Sequence, residues 1–161
     1  MTSKPTAFQK LLHRIFMLRP VTEFFAPRVN GIDNTILRLT KGKFTGSEMM
    51  GWNIIQLSTM GARSGEARTM PMTALFDSEK IILVASNFGR KNNPAWYYNL
   101  KAHPECEVEW KGKTGTYQAR ETLDDEYDKY WQFAVSNYEG YDKYKERAGR
   151  KIPVMVLEPK R

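Results

Sequence analysis

Three segments of the chain combine residue types that can do chemistry. The first, Gly61-Ala62-Arg63-Ser64-Gly65-Glu66-Ala67-Arg68, joins two expected strands. Its glycines allow backbone angles that other residues avoid, and its arginines flank the turn. Backbone N–H groups and guanidinium forks in such a turn can hold phosphate or carboxylate oxygens. A solvated basic hairpin has the same composition. The second segment runs from Ala85-Ser86-Asn87-Phe88-Gly89-Arg90-Lys91 through Asn92-Asn93-Pro94 to Trp96 and Leu100. It reads as a strand end, a polar basic loop and a helix start, and unpaired N–H groups at a helix N-terminus attract anions. Trp96 and Leu100, four apart, also suit simple packing into a core.

The third is a tyrosine set, Tyr138, Tyr141 and Tyr144, in steps of three along one helix face. Tyrosines can wall an apolar cavity while offering hydroxyls as proton donors, although such a stripe equally serves packing. Tyr127, Tyr130 and Trp131 repeat the spacing upstream. Other chemistries are missing from the sequence. His13 and His103 lie far apart without nearby cysteines, so no metal site is expected. Cys106 falls in an expected strand as a small apolar side chain. There is no Gly-x-Ser-x-Gly elbow, P-loop or dinucleotide fingerprint. With so few candidate catalytic acids and nucleophiles, a bound cofactor would have to supply the reactivity.

Elements able to position these residues follow from the pattern. Phe8, Leu11, Leu12, Ile15 and Phe16 recur at helical spacing until Pro20, and a second helix is expected from about Asp33 to Thr40. Strands are expected at Trp52–Thr59, Arg68–Phe76 and Lys80–Ser86. Pro71 suits an edge or bulge in the second, and a continuous apolar run marks the third as buried. A short helix follows from Pro94 to Ala102, then a hairpin of Glu105–Lys111 and Thr114–Arg120 around Gly112. Helix resumes from about Asp124 to Arg147 with a break near Gly140, and Ile152–Leu157 closes the chain as a strand. Short strands with few helices between them argue against a doubly wound sheet. They fit an α+β fold, a mostly antiparallel barrel of about six strands flanked by helices. Residues 1–45 form an N-terminal helical extension, and residues 46–161 form the barrel domain.

At 161 residues with 41% hydrophobic and 27% charged, the chain matches one globular domain. No apolar run reaches the roughly 20 residues of a membrane span. Arg14 and Arg19 interrupt the apolar stretch that a secretory signal would need, and a single cysteine suits a reducing cytoplasm. The net charge of +7 favours anionic partners. Lys and Arg are spread along the chain without a compact run, so nucleic acid is not an expected partner. The apolar face and basic flank of the first helix would suit peripheral contact with an anionic membrane, or packing over the barrel.

The order of the three segments resembles the deazaflavin (F420)-dependent nitroreductase family, within the split β-barrel flavin and deazaflavin oxidoreductases. A Gly-x-[Arg/Lys]-[Ser/Thr]-Gly-x-x-Arg turn is matched by Gly61, Arg63, Ser64, Gly65 and Arg68. A strand ending in Ala-Ser follows, and then Asn93, Pro94, Trp96, Tyr97, Asn99 and Leu100. Lys101, Ala102, Pro104 and the ending Ile152-Pro153-Val154 continue the likeness, which covers roughly residues 50 to 159. It implies a split β-barrel that binds coenzyme F420 and passes hydride from it to an organic acceptor of nitroaromatic, quinone or enone type. By position, Arg63, Ser64, Gly65, Arg68, Ser86, Asn87, Arg90 and Lys91 would meet the cofactor's phosphate and acidic tail. Pro71, Met72 and Ala85 would lie near the ring, with Trp96 and Asn99 supporting the loop. Tyr141 would orient or protonate the acceptor, with Tyr138 and Tyr144 lining the pocket. The chain departs from the pattern at Ala62, Met70 and Phe88, the last standing where glycine is common. FMN in the same barrel, or a non-enzymatic carrier of a fatty acid-like ligand, would use a similar basic groove and tyrosine-lined pocket. A monomer or weak homodimer is expected.

Overall fold

The computed structural model describes residues 52–160, together with Pro20 and Thr35. Those two residues have helical backbone. Thr35 falls within the second expected helix, and Pro20 is itself helical where a break was expected. The rest of the N-terminal extension, including its membrane-facing reading, lies outside the described residues.

Six strands form a closed barrel in the order β1-β2-β3-β6-β5-β4, every pairing antiparallel. They are β1 (Asn53–Met60), β2 (Ala67–Asp77), β3 (Lys80–Val84), β4 (Glu105–Trp110), β5 (Lys113–Glu121) and β6 (Val154–Pro159). Three helices complete the described fold: α1 (Ala95–Ala102), α2 (Asp124–Asn137) and α3 (Gly140–Ala148). Adjacent antiparallel strands need only short links, which is why strand follows strand with so little helix between.

Side-chain parity divides the apolar residues between two cores. Ile55 and Leu57 of β1, Ile81 and Leu83 of β3, and Met155 and Leu157 of β6 point into the barrel, where Trp96, Leu100, Cys106 and Val108 join them. Burial pushes the Cys106 thiol up to about 12, so it stays an inert apolar filler. The opposite faces of β3 and β6, Ile82, Val84, Val154 and Val156, pack against Tyr127, Tyr130, Trp131 and Ala134 of α2 and Tyr141 and Tyr144 of α3. These two strands are therefore covered on both faces, and this is the reason their sequences are continuous apolar runs.

The tyrosine stripe differs from its expected form. Tyr138 is the C-cap of α2, with extended backbone, while Tyr141 and Tyr144 belong to α3. The three rings nevertheless cluster, because the chain doubles back at Gly140. A Cβ there would overlap the Tyr138 ring, so only glycine lets the ring lie against the start of α3.

Candidate active site

A cavity of about 440 Å³ opens between the outer faces of β1 and β2, the Ser86–Trp96 segment and the tyrosine cluster. Four consecutive residues of β2, Met70, Pro71, Met72 and Thr73, line it. A strand wall in mid-sheet would contribute alternate residues only. Here β2 pairs with β1 over its Ala67–Ala74 half but with β3 only at Leu75–Asp77. The cavity thus lies at an open strand edge, and Pro71, which has no N–H to satisfy, sits on it as expected of an edge residue. Trp52, Ile54, Leu75 and Val84 extend the apolar wall.

The Ser86–Asn93 loop forms the polar end. Ser86, Asn87, Phe88, Arg90 and Asn93 all line the cavity. Asn87, Phe88 and Gly89 have successive positive φ values of 46°, 57° and 78°. Phe88 is thus a bulky residue in the left-handed region, which favours glycine. Its ring is held edge-on to Tyr144, with centroids 6.2 Å apart. Gly89 is required twice over, since a Cβ would also stand 3.1 Å from the Arg147 side chain and the Tyr144 carbonyl oxygen. Asn87 Nδ2 donates to the Asn92 carbonyl at 2.9 Å and closes the loop.

The tyrosines roof the cavity, and all three line it. Burial raises the pKa of each above the usual phenol value, so each carries its proton at neutral pH. The Tyr138 and Tyr144 hydroxyls share a hydrogen bond of 3.3 Å. Arg147 lies over the Tyr144 ring at 5.8 Å. Among the described residues, nothing hydrogen-bonds the Tyr141 hydroxyl.

The Gly61–Arg68 turn joins β1 to β2 as expected but does not line the cavity. Gly61 N donates to the Glu66 carbonyl at 2.8 Å and Gly65 N to the Gly61 carbonyl at 2.9 Å. The Ala62 N–H donates to Asn99 Oδ1 at 3.0 Å, while Asn99 Nδ2 donates to Thr59 Oγ1 at 3.0 Å. Asn99 therefore supports this turn rather than the Ser86 loop. Arg63 is exposed, and exposed Arg68 pairs with Glu66 at 3.2 Å. Of the remaining expected residues, Trp96 backs the cavity from the barrel core, Lys91 is exposed outside it, and Ala85 is fully buried in the barrel interior. Trp52, Ile54 and Thr73 were not singled out as site residues from the sequence, and Asn93 only as part of the motif. The Asn93 Oδ1 is buried without a partner. Among the described residues no cluster of three or more His, Cys, Asp or Glu could hold a metal ion, and no helix is long and apolar enough to cross a membrane.

Residues 31–159 match the model of the F420H(2)-dependent quinone reductase family. The chain belongs to this family. It is thus an F420H2-dependent oxidoreductase whose cofactor is coenzyme F420. An F420H(2)-dependent quinone reductase of Mycobacterium tuberculosis (strain ATCC 25618 / H37Rv) is 36% identical over 104 residues, which span 63% of this chain and 70% of that protein. A solved F420-H2 dependent reductase, FDR-A, superposes with a TM-score of 0.61 at 34% identity, covering 66% of this chain and 94% of that one. A second structure, described as a domain-swapped dimer, has the same TM-score and identity and is covered over 80% of its length. The split-barrel expectation therefore holds.

The residues present suit the cofactor. The apolar edge of β2 can receive a flat ring, the basic turn and loop can receive anionic groups, and the unpartnered Asn93 Oδ1 awaits a hydrogen-bond donor.

Proposed function

We propose that this chain reduces a quinone in the cavity between β2 and the tyrosine cluster, with Tyr141 as proton donor. The Tyr141 hydroxyl carries the proposal: it is protonated, lines the cavity and has no hydrogen bond among the described residues, whereas its two neighbours engage each other. When bound, the reduced deazaflavin supplies the hydride. Pro71 and Met72 would receive its ring, with Trp96 stiffening the wall behind. Ser86, Asn87, Arg90 and Lys91 would hold phosphate, while Arg63, Ser64, Gly65 and Arg68 would hold the acidic tail. Ala85 fixes the start of the loop from within the barrel. Tyr141 gives its proton to the quinone oxygen that gains negative charge and is reprotonated from solvent. Tyr138 and Tyr144 keep water out and orient the acceptor. Hydride and proton together account for the two electrons and both hydrogens of the quinol, so the only proton drawn from solvent is the one that restores Tyr141.

The test is a fluorescence titration of purified protein with F420 and, in parallel, with FMN, followed by turnover with menadione. The expected result is salt-sensitive binding of F420 alone and F420H2-driven menadione reduction. Arg68→Ala should weaken F420 binding while the fold survives. Preference for FMN, or binding without menadione turnover, would overturn the assignment.

A further inference from the structure

Arg150 follows Gly149, the left-handed C-cap of α3, and its guanidinium meets carbonyls rather than a carboxylate. Nη2 donates to the Ala85 carbonyl at 3.2 Å and to the Asn92 carbonyl at 3.2 Å. Nε donates to the Arg90 carbonyl at 3.4 Å, and Nη1 to the Lys151 carbonyl at 3.2 Å. Three of the four acceptors bracket one loop, at its start, its middle and its end. The Asn92 carbonyl also accepts from Asn87, so the same oxygen is held from both sides.

Two consequences follow from elementary geometry. In a trans peptide the C=O and the next N–H point in opposite directions. Carbonyls of Arg90 and Asn92 turned toward the guanidinium therefore turn the N–H groups of Lys91 and Asn93 away from it. Backbone N–H groups that converge on one side of a loop can receive an anion together. The charge also persists: among the described residues no carboxylate pairs with Arg150, and although burial lowers its pKa from the usual value, arginine stays protonated.

We propose that Arg150 is the positioning residue of the anion-binding loop. It holds the Ala85, Arg90 and Asn92 carbonyls inward and the N–H groups of Lys91 and Asn93 outward, ties the loop to the end of α3, and leaves an uncompensated positive charge beneath an anionic ligand. The proposal rests on reading this loop as the segment that holds the cofactor's phosphate. It adds a residue that touches no cofactor atom.

The experiment uses Arg150→Met, which keeps length and loses charge and donors, and Arg150→Lys, which keeps charge but loses the planar fork. Amide hydrogen exchange of residues 86–93 is measured by NMR in cofactor-free protein, F420 affinity by fluorescence, and kcat with menadione at saturating F420H2. In Arg150→Met, exchange at Gly89 and Arg90, whose N–H groups are bonded within the loop, should speed up about tenfold or more, and F420 affinity should fall about tenfold, the range expected for charge-assisted bonds. The kcat at saturation should stay within about twofold, because no group that reacts has moved. Arg150→Lys should recover only part of the affinity and leave exchange fast. Unchanged exchange in Arg150→Met would overturn the proposal. So would an Arg150→Lys protein that exchanges as fast as Arg150→Met yet binds F420 like wild type, since charge alone would then suffice. Wild-type protein that binds no F420 would sink the reading of the loop instead, and the exchange data would still decide the tether.

Discussion

The sharpest test of how the site is assembled is Asn99, which reaches from α1 to the end of β1 and the turn beyond it. Asn99 is 7% exposed and Thr59 is 4% exposed, so the bond between Asn99 Nδ2 and Thr59 Oγ1 is shielded from water. Asn99→Leu keeps the volume and strands two groups, the Thr59 hydroxyl and the Ala62 N–H. A buried polar group left unpaired costs about 1–3 kcal/mol. Ala62 is half-buried and can regain water, so its share lies at the low end. The sum is about 2–4 kcal/mol, or a fall in Tm of roughly 5–15 °C for a chain of this size. Thr59→Val removes the other partner and should cost about 1–3 kcal/mol by itself. In the double variant the shared bond has lost both ends, so the penalties should not add, leaving a coupling of about 1–2 kcal/mol. Urea denaturation of the four proteins, with a constant m-value as the control, measures this. Additive penalties, or an Asn99→Leu protein within about 0.5 kcal/mol of wild type, would show that the side chain does not staple α1 to the turn.

Other perturbations separate chemistry from support. Tyr141→Phe should leave F420 affinity within about twofold while slowing menadione reduction about a hundredfold, the usual size of a general-acid effect; equal turnover would remove Tyr141 from proton delivery. Phe88→Gly gives up the ring against Tyr144 and relieves a left-handed backbone worth roughly 1–2 kcal/mol. It should raise kcat/KM for quinones with bulky substituents relative to menadione, and an unchanged ratio would show that Phe88 does not limit the cavity. Glu158 is held down to about 2 by hydrogen bonds from Lys80 and Arg120. A carboxylate with a depressed folded pKa stabilises fully above its ordinary 4.5 and loses that contribution as pH falls toward 2. Because Glu158 is 40% exposed, its worth is about 1 kcal/mol at most. Glu158→Gln should therefore be slightly less stable than wild type at pH 7 and converge with it between about pH 4.5 and 2, as followed by urea midpoints; a gap that widens on acidification would reverse the sign.

Much of the barrel is legible along the chain because its signals are local. The Lys80–Val84 run, the two-residue Lys111-Gly112 turn between β4 and β5, and the helix break at Gly140 all came within a few residues of their places. The steps of three in Tyr138, Tyr141 and Tyr144 misled in one respect. Periodicity counts residues and cannot show that the chain leaves the helical path at Tyr138, whose extended backbone brings the ring beside Gly140 by doubling back. Arg150 was out of reach for a different reason. Its loop acceptors lie 58 to 65 residues away in sequence, so no short motif encodes the contact. The one local hint is its place just after the left-handed Gly149, which turns the chain off α3 and toward the loop.

The cavity shows how a local signal becomes functional only through topology. Pro71 is readable as an edge residue because it has no N–H to offer a neighbouring strand. Which edge it occupies depends on β3, which pairs with β2 only beyond Ala74 and leaves the stretch around Pro71 open. That opening explains why residues of both parities, Met70 and Met72 with Pro71 and Thr73, meet the same cavity. An open edge with free N–H groups would invite another strand. An edge interrupted by proline and lined by methionines offers a flat apolar surface instead. The same residue that weakens β2 as a sheet partner thus suits it to receive a planar ring, and the basic turn and loop that flank this edge give such a ring's anionic groups somewhere to go.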